Sequence, residues 1–227
     1  MTLDLSRTHL DRARPLREQI YPVLRMAILC GTIKPGEVID EKGIAEQLKV
    51  SRTPVREAVM RLSDEHLVDV VAQSGTRAAR IDRKEIAEAY LIRRALETES
   101  AAEAAPRMAQ DHADRLAGLL IQHARAIERR NYVEAIRCDD RFHEYITSIS
   151  GLPRLWAMIE KCKAPLDRCR HMMLPRAGQA EATLEQHREI IRALNSRDPE
   201  RARTAMRSHL EQAYRATEAV MDGPGIG

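Results

Sequence analysis

The residues best equipped for chemistry in this chain sit at helical spacing on otherwise apolar stripes. Ile136, Asp139, His143 and Ile146 follow one another at steps of three and four, the period of one helix face. Leu184, His187, Ile191 and Leu194 repeat the pattern, and Ala202, Met206, His209 and Ala213 do so again. One carboxylate and three imidazoles are thereby aimed at the interior of a helical bundle from three helices. Burying such groups without partners is costly. Two solutions are open: each group finds its own hydrogen bond in the core, or the four share a divalent metal. One oxygen and three nitrogens suit zinc first, with nickel, manganese or iron compatible, and leave a position for water or a ligand.

A second chemical signal is a pair of arginines. In Ser51-Arg52-Thr53-Pro54-Val55-Arg56, Ser51 is placed to cap a helix whose first turn tolerates Pro54. Arg52 and Arg56 lie one turn apart, on a face away from Val55, Val59 and Leu62. An arginine fork at a helix N-terminus can hold guanine O6 and N7 in a major groove. Ser51, Thr53 and the free N–H groups of the helix end suit phosphates. Spacing alone equally allows a surface helix with two solvated arginines.

These side chains need elements to position them. A helix is expected from Pro15 to Cys30, with Pro22 either in its first turn or kinking it. The dozen residues before it are polar and expected to be poorly ordered. Lys34-Pro35-Gly36-Glu37 reads as a turn, and a short helix follows over Glu41 to Leu48 with Asp40 as its cap. After the helix from Arg52 to Asp64, Leu67 to Ala72 and Arg77 to Ile81 read as strands about a Gln73-Ser74-Gly75-Thr76 turn. Two short helices and a hairpin make a winged helix-turn-helix. Beyond Arg83 only long helices are expected, at roughly 83–108, 111–130, 132–150, 153–171, 179–196 and 198–221. The expected fold is mainly α: a winged helix-turn-helix with a β-hairpin wing in residues 1–81, then an all-α antiparallel bundle of about six helices in 82–227.

Composition sets limits on this reading. Of 227 residues, 44% are hydrophobic but only 3% aromatic, so the core must be aliphatic. A net charge of +3 does not by itself announce a nucleic-acid binder. Cys30, Cys138, Cys162 and Cys169 form no CxxC pair and read as reduced core residues. No apolar run nears the roughly 20 residues of a membrane span, and none resembles a signal peptide, so a soluble, cytoplasmic protein is expected.

Particular motifs resemble a known family. Pro35-Gly36, Ile44-Ala45-Glu46, the stretch Val50-Ser51-Arg52-Thr53-Pro54-Val55-Arg56-Glu57-Ala58, Arg61-Leu62 and Gly75 look like the winged helix of GntR-type regulators. The resemblance implies that Ser51, Arg52, Thr53 and Arg56 contact the operator, with Lys42 on the preceding helix and the wing tip at Ser74 and Gly75. Three departures stand out. Lys42 replaces a common arginine and loses its bidentate reach. Lys49 occupies a usual turn glycine, at a cost of roughly 1 kcal/mol if the site is left-handed. Gly43 weakens its short helix by a similar amount.

Asp139-x3-His143 around Phe142, His187 before Ile190-Ile191-x-Ala193-Leu194, and Met206-Arg207-x-His209-Leu210 resemble the FCD ligand-binding domain of the FadR branch. That resemblance implies a metal held by Asp139, His143, His187 and His209. Six helices would suggest the VanR-like subgroup. Tyr90-Leu91-Ile92-Arg93-Arg94-Ala95-Leu96-Glu97 resembles the domain's first helix, where the arginine matching Arg93 reaches the effector; the alternative for Arg93 is a salt bridge to Glu97 one turn away. His9, His66, His112, His123 and His171 have no evident partners and are expected to be superficial or incidental.

The implied function is a homodimeric, DNA-binding regulator, repressor or activator, on a palindromic duplex operator. A small organic-acid effector at a metal-containing pocket would set its affinity. In an alternative reading the metal itself is the signal. A metalloenzyme is disfavoured, because no paired base accompanies the ligands and a hydrolase has no use for a reading helix.

Overall fold

The computed structural model describes residues 3–5, 8–71, 75–176 and 178–222, which fall into two compact units, one ending at Asp82 and the other starting at Arg83.

The first unit contains α1 (Leu16–Leu29), α2 (Glu41–Leu48), α3 (Arg52–Asp64), β1 (Val68–Val71) and β2 (Gly75–Ala78). Ile20, Leu24 and Ile28 of α1 are buried with Val55, Val59 and Leu62 of α3, and Ile44 and Leu48 of α2 are buried too. Pro22 lies inside α1 rather than in its first turn. β1 and β2 pair antiparallel from Val68↔Ala78 to Val71↔Gly75, and Val38 bridges to Arg77 on the open edge of β2. The expectation of a loose N-terminal segment fails at Leu5. Its side chain is buried and its N–H donates to Oε1 of Gln47 at 2.9 Å, so an apolar anchor outweighs the polarity around it.

Two backbone choices shape α2. Oδ1 of Asp40 accepts from the N–H groups of Lys42 and Gly43 at 3.1 and 3.0 Å, satisfying two orphan donors. A Cβ at position 43 would lie 2.5 Å from Oδ2 of Asp40, so the helix-weakening glycine makes room for the cap. At the other end Lys49 is left-handed, at φ 53° and ψ 44°.

The second unit begins with α4 (Arg83–Ala104) and a 3-10 turn (Ala105–Arg107), then α5 (Gln110–Glu128) and α6 (Tyr132–Ile149). It continues with α7 (Arg154–Cys162), α8 (Ala164–Met173), α9 (Gln179–Asn195) and α10 (Pro199–Met221). The stretch expected as one helix over 153–171 is two: α7 ends at Cys162, and Pro165 sits in the first turn of α8, where its missing N–H leaves no helical bond unmade. That makes seven α-helices in the described residues, and helix number gives no support to the VanR-like subgroup. α4 and α10 pack antiparallel: Arg83 pairs with Asp222, Tyr90 stacks on Tyr214 at 4.2 Å, and Arg203 pairs with Glu99.

The bundle core is layered. Ala101, Leu116, Phe142, Ile146, Ile190, Leu194 and Met206 belong to one apolar cluster, and Ala126, Ile136, Met173, Ala180 and Leu184 to another. Between them along α5, α6 and α9 fall His123, Asp139 with His143, and His187, all buried. A polar layer therefore interrupts the core at one level.

Replacing Lys49 by Gly is expected to raise stability to urea by about 1 kcal/mol, by relieving the left-handed residue. Replacing Asp40 by Ala should lower it by about 1 kcal/mol.

Candidate metal centre and nucleic-acid interface

Asp139 and His143 come from α6, His187 from α9 and His209 from α10. Each offers one donor atom, and the four donors lie within 4.8 Å of one another, with all four residues buried. A shared ion with bonds of about 2.1 Å would hold opposite donors about 4.2 Å apart and tetrahedral ones about 3.4 Å apart, so a pair at the outer bound would have to close by at least about half an ångström. Nε2 of His187 is 3.3 Å from Oδ1 of Asp139, and Nε2 of His143 is 3.8 Å from Oδ2.

The chemistry of this donor set fits a divalent cation. Both ring nitrogens of His143 and of His187 are buried without an aligned hydrogen-bond partner among the described residues, an expensive arrangement that a cation relieves. Burial pushes the pKa of His187 down, against Asp139, and pushes that of His209 well down, with His187 and His143 adding to the effect. Burial would raise Asp139, but Arg170 and the histidines hold its carboxyl well below the usual range. Neutral imidazoles beside an ionised carboxylate are the protonation states that metal binding needs.

Other polar groups lie against these side chains. Nδ1 of His143 lies 2.6 Å from Oε2 of Glu97, although neither atom meets the alignment of a hydrogen bond. Nδ1 of His209 lies 2.8 Å from Oε1 of Gln186, which leaves Nε2 for a metal. Arg93 is buried and donates from Nε to Oε1 of Glu97 at 2.6 Å, so the salt bridge weighed from the sequence is present. It also lines, with Tyr90, Asp139, Arg170, His209 and Tyr214, a cavity of about 40 Å³ beside the four donors.

Several of these neighbours were not identified from the sequence. Arg170 of α8 pairs with Asp139 and donates from Nη1 to Asp140 and Asp167 at 2.8 and 3.0 Å. Lys163 binds the same two aspartates at 2.7 and 2.8 Å. His123 corrects an expectation: it is 1% exposed, neither superficial nor incidental, with its ring centroid 5.4 Å from that of His187. Burial lowers its pKa to about 4. A signal was available, since Leu116, Leu119, His123 and Ala126 form a helical apolar stripe like the other three. His9 and His66 are exposed, and His112 and His171 are half-buried.

In the first unit, Lys42, Ser51, Arg52, Thr53 and Arg56 are all exposed, while Val55, Ala58, Val59 and Leu62 hold α3 from behind. Arg52 and Arg56 form no ion pair among the described residues, the first turn of α3 holds no acid, and the Ser51 hydroxyl makes no capping bond. Gly75 opens β2 at φ 86°, and Ser74 lies outside the described residues.

A winged reading head followed by a helical bundle defines a class, the two-domain transcription regulators. Comparisons agree. Residues 16–77 match the bacterial regulatory proteins of the gntR family, and residues 85–212 match the FCD domain. The chain is 34% identical over 205 residues to the HTH-type transcriptional repressor RspR of Escherichia coli K12, covering 90% of each. It is 32% identical to an HTH-type transcriptional regulator in an unstable DNA locus of Streptomyces ambofaciens, covering 91% of this chain and 87% of that one. The solved structure of E. coli McbR/YncC superposes with a TM-score of 0.76 at 25% identity, over 90% of this chain and 97% of that one. The chain belongs to the GntR family and carries an FCD domain: it is a DNA-binding transcription regulator, not an enzyme. No helix among its described residues is long and apolar enough to cross a membrane.

Because burial depresses His123, His187 and His209, the unfolded chain takes up protons below the ordinary value of 6.5 that the folded chain refuses. Stability is then fully present above pH 6.5 and declines as the pH falls toward 4. Urea titrations of metal-free protein at descending pH should show a loss of up to about 1.4 kcal/mol per pH unit for each such histidine. A flat profile would contradict neutral burial.

Proposed function

We propose that this regulator reads a palindromic duplex operator as a homodimer, and that a small carboxylate bound at a metal-containing pocket in its FCD domain sets its affinity for DNA. The observation that carries this reading is the convergence of Asp139, His143, His187 and His209 on one point beside a cavity that Arg93 lines. Asp139 and the three histidines would hold the ion, zinc suiting the set first, with nickel, manganese or iron compatible. The ion would supply a fixed positive charge and an open coordination position. Arg93 would clamp the effector's carboxylate against it, exchanging part of its contact with Glu97.

On the DNA side, Arg52 and Arg56 would read bases from the exposed face of α3, with Lys42, Ser51 and Thr53 on phosphates and the wing at Ser74 and Gly75 on the backbone. Effector binding would act by shifting the population of dimer geometries that fit both half-sites. The name of RspR supports repression as the sign of control.

A second reading is favoured by the cavity's size. At about 40 Å³ it has room for only a few water-sized groups, which suits a sensor whose signal is the metal itself.

In a fluorescence-anisotropy titration on the natural operator, Arg52→Ala is expected to lose about 1–3 kcal/mol of specific affinity with little change on random DNA. An unchanged affinity would sink the placement of the reading head. Elemental analysis of purified protein should find close to one divalent ion per chain, lost in His187→Ala. A thermal-shift screen of small carboxylates separates the two readings. Stabilisation of metal-loaded protein that disappears in Arg93→Ala supports an organic effector. Operator affinity that follows metal alone supports the second reading.

A further inference from the structure

Two of the three histidines proposed to face a metal have a polar group against the nitrogen that points away from it: Glu97 for His143 and Gln186 for His209. His187 is the exception. Its Nε2 faces Asp139, so Nδ1 is the outward nitrogen, and no described residue accepts from it. Phe142 stacks on one face of its ring, with centroids 4.3 Å apart, and cannot fill that role. Three imidazoles stand beside it: His209 and His143, with centroids 4.9 and 5.3 Å away, belong to the proposed donor set, and the third is His123, brought in by α5, with ring centroids 5.4 Å apart and planes inclined at 47°. At that spacing facing ring nitrogens can come within hydrogen-bond distance, about 3 Å. Both nitrogens of His123 are themselves buried without a hydrogen-bond partner among the described residues.

We infer that His123 is the outer partner of His187, a positioning residue that accepts a hydrogen bond from Nδ1–H of His187 and so fixes Nε2 toward the metal. The inference rests on the metal-site reading above. His123 is not a fifth ligand, since its nitrogens are not among the converging donors. Nor does it belong to the effector space, because the cavity is lined by Asp139 and His209 and not by His187 or His123. A neutral imidazole suits the task, accepting through one nitrogen while keeping a donor on the other. Metal-bound histidines need such a partner to hold tautomer and ring orientation, and losing one costs about 10- to 100-fold in metal affinity. With His123 included, five separate helices contribute: α4 through Glu97, α5 through His123, α6 through Asp139 and His143, α9 through Gln186 and His187, and α10 through His209.

The test uses full-length, metal-free protein, with zinc affinity measured by competition against a chromophoric chelator and the site reported by the visible absorption of bound cobalt. His123→Phe should bind zinc about 10- to 100-fold more weakly and shift the cobalt bands, while its metal-free Tm stays at or above that of the natural chain. His123→Gln, which can still accept a hydrogen bond, should restore affinity and spectrum to near the natural values. Unchanged affinity and spectrum in His123→Phe overturn the inference. So does a loss shared by His123→Phe and His123→Gln that tracks a fall in metal-free Tm, because that marks His123 as packing only. If the natural protein binds none of zinc, cobalt and nickel, the metal site itself fails and takes the inference with it; if it binds them and His123→Phe binds equally well, the inference alone fails.

Discussion

The bundle has to bury ionisable groups in the middle of an aliphatic core, and most of its features answer that demand. Asp139, Glu97, Arg93, Arg170, Lys163 and the histidines 123, 143, 187 and 209 are all below one-tenth exposed. The charged members settle much of the cost among themselves, Arg93 with Glu97 and Arg170 with Asp139. The imidazoles are not settled in this way. Both ring nitrogens of His123, His143 and His187 are left without a hydrogen-bond partner among the described residues, which is why the site reads as a place for a cation and not as a finished ion-pair network.

The reading head meets the opposite demand, to leave charge exposed. α3 is pinned from behind by Val55, Ala58, Val59 and Leu62, so Arg52 and Arg56 are held outward on a rigid element. The tight junction before it relies on Lys49 in a left-handed conformation, and the helix before that on Gly43 yielding space to Asp40. Local backbone strain and a weak helix position are accepted in order to set the angle between the two short helices.

Most of this was legible in the residues, for a specific reason. Helical periodicity says which side chains share a face, and Asp139, His143, His187 and His209 each interrupt an apolar stripe, so the structure brings together the four that periodicity aimed inward. Periodicity does not say which helix packs opposite. Arg170 lies in a short helix whose start was hidden, because 153–171 was read through Pro165, and its partner Asp139 is thirty-one positions away. Glu97 was visible only as the i+4 neighbour of Arg93; its approach to His143 depends on α4 lying against α6. His123 carried the same stripe signal as the others, with no second ionisable residue on that apolar stripe to mark it out.

The sandwiching of a polar level between two apolar clusters also fixes how the helices are aligned lengthwise. Sliding α9 by one turn, about 5.4 Å, past α6 would set His187 against the level of Ile136 or Ile146 and leave Asp139 opposite an aliphatic side chain. Every such slip trades matched levels for mismatched ones at both helices, so alternative stackings of an otherwise interchangeable Leu, Ile and Ala interior are penalised together. The layer that makes the core costly to assemble is thus also what leaves it a single way to assemble.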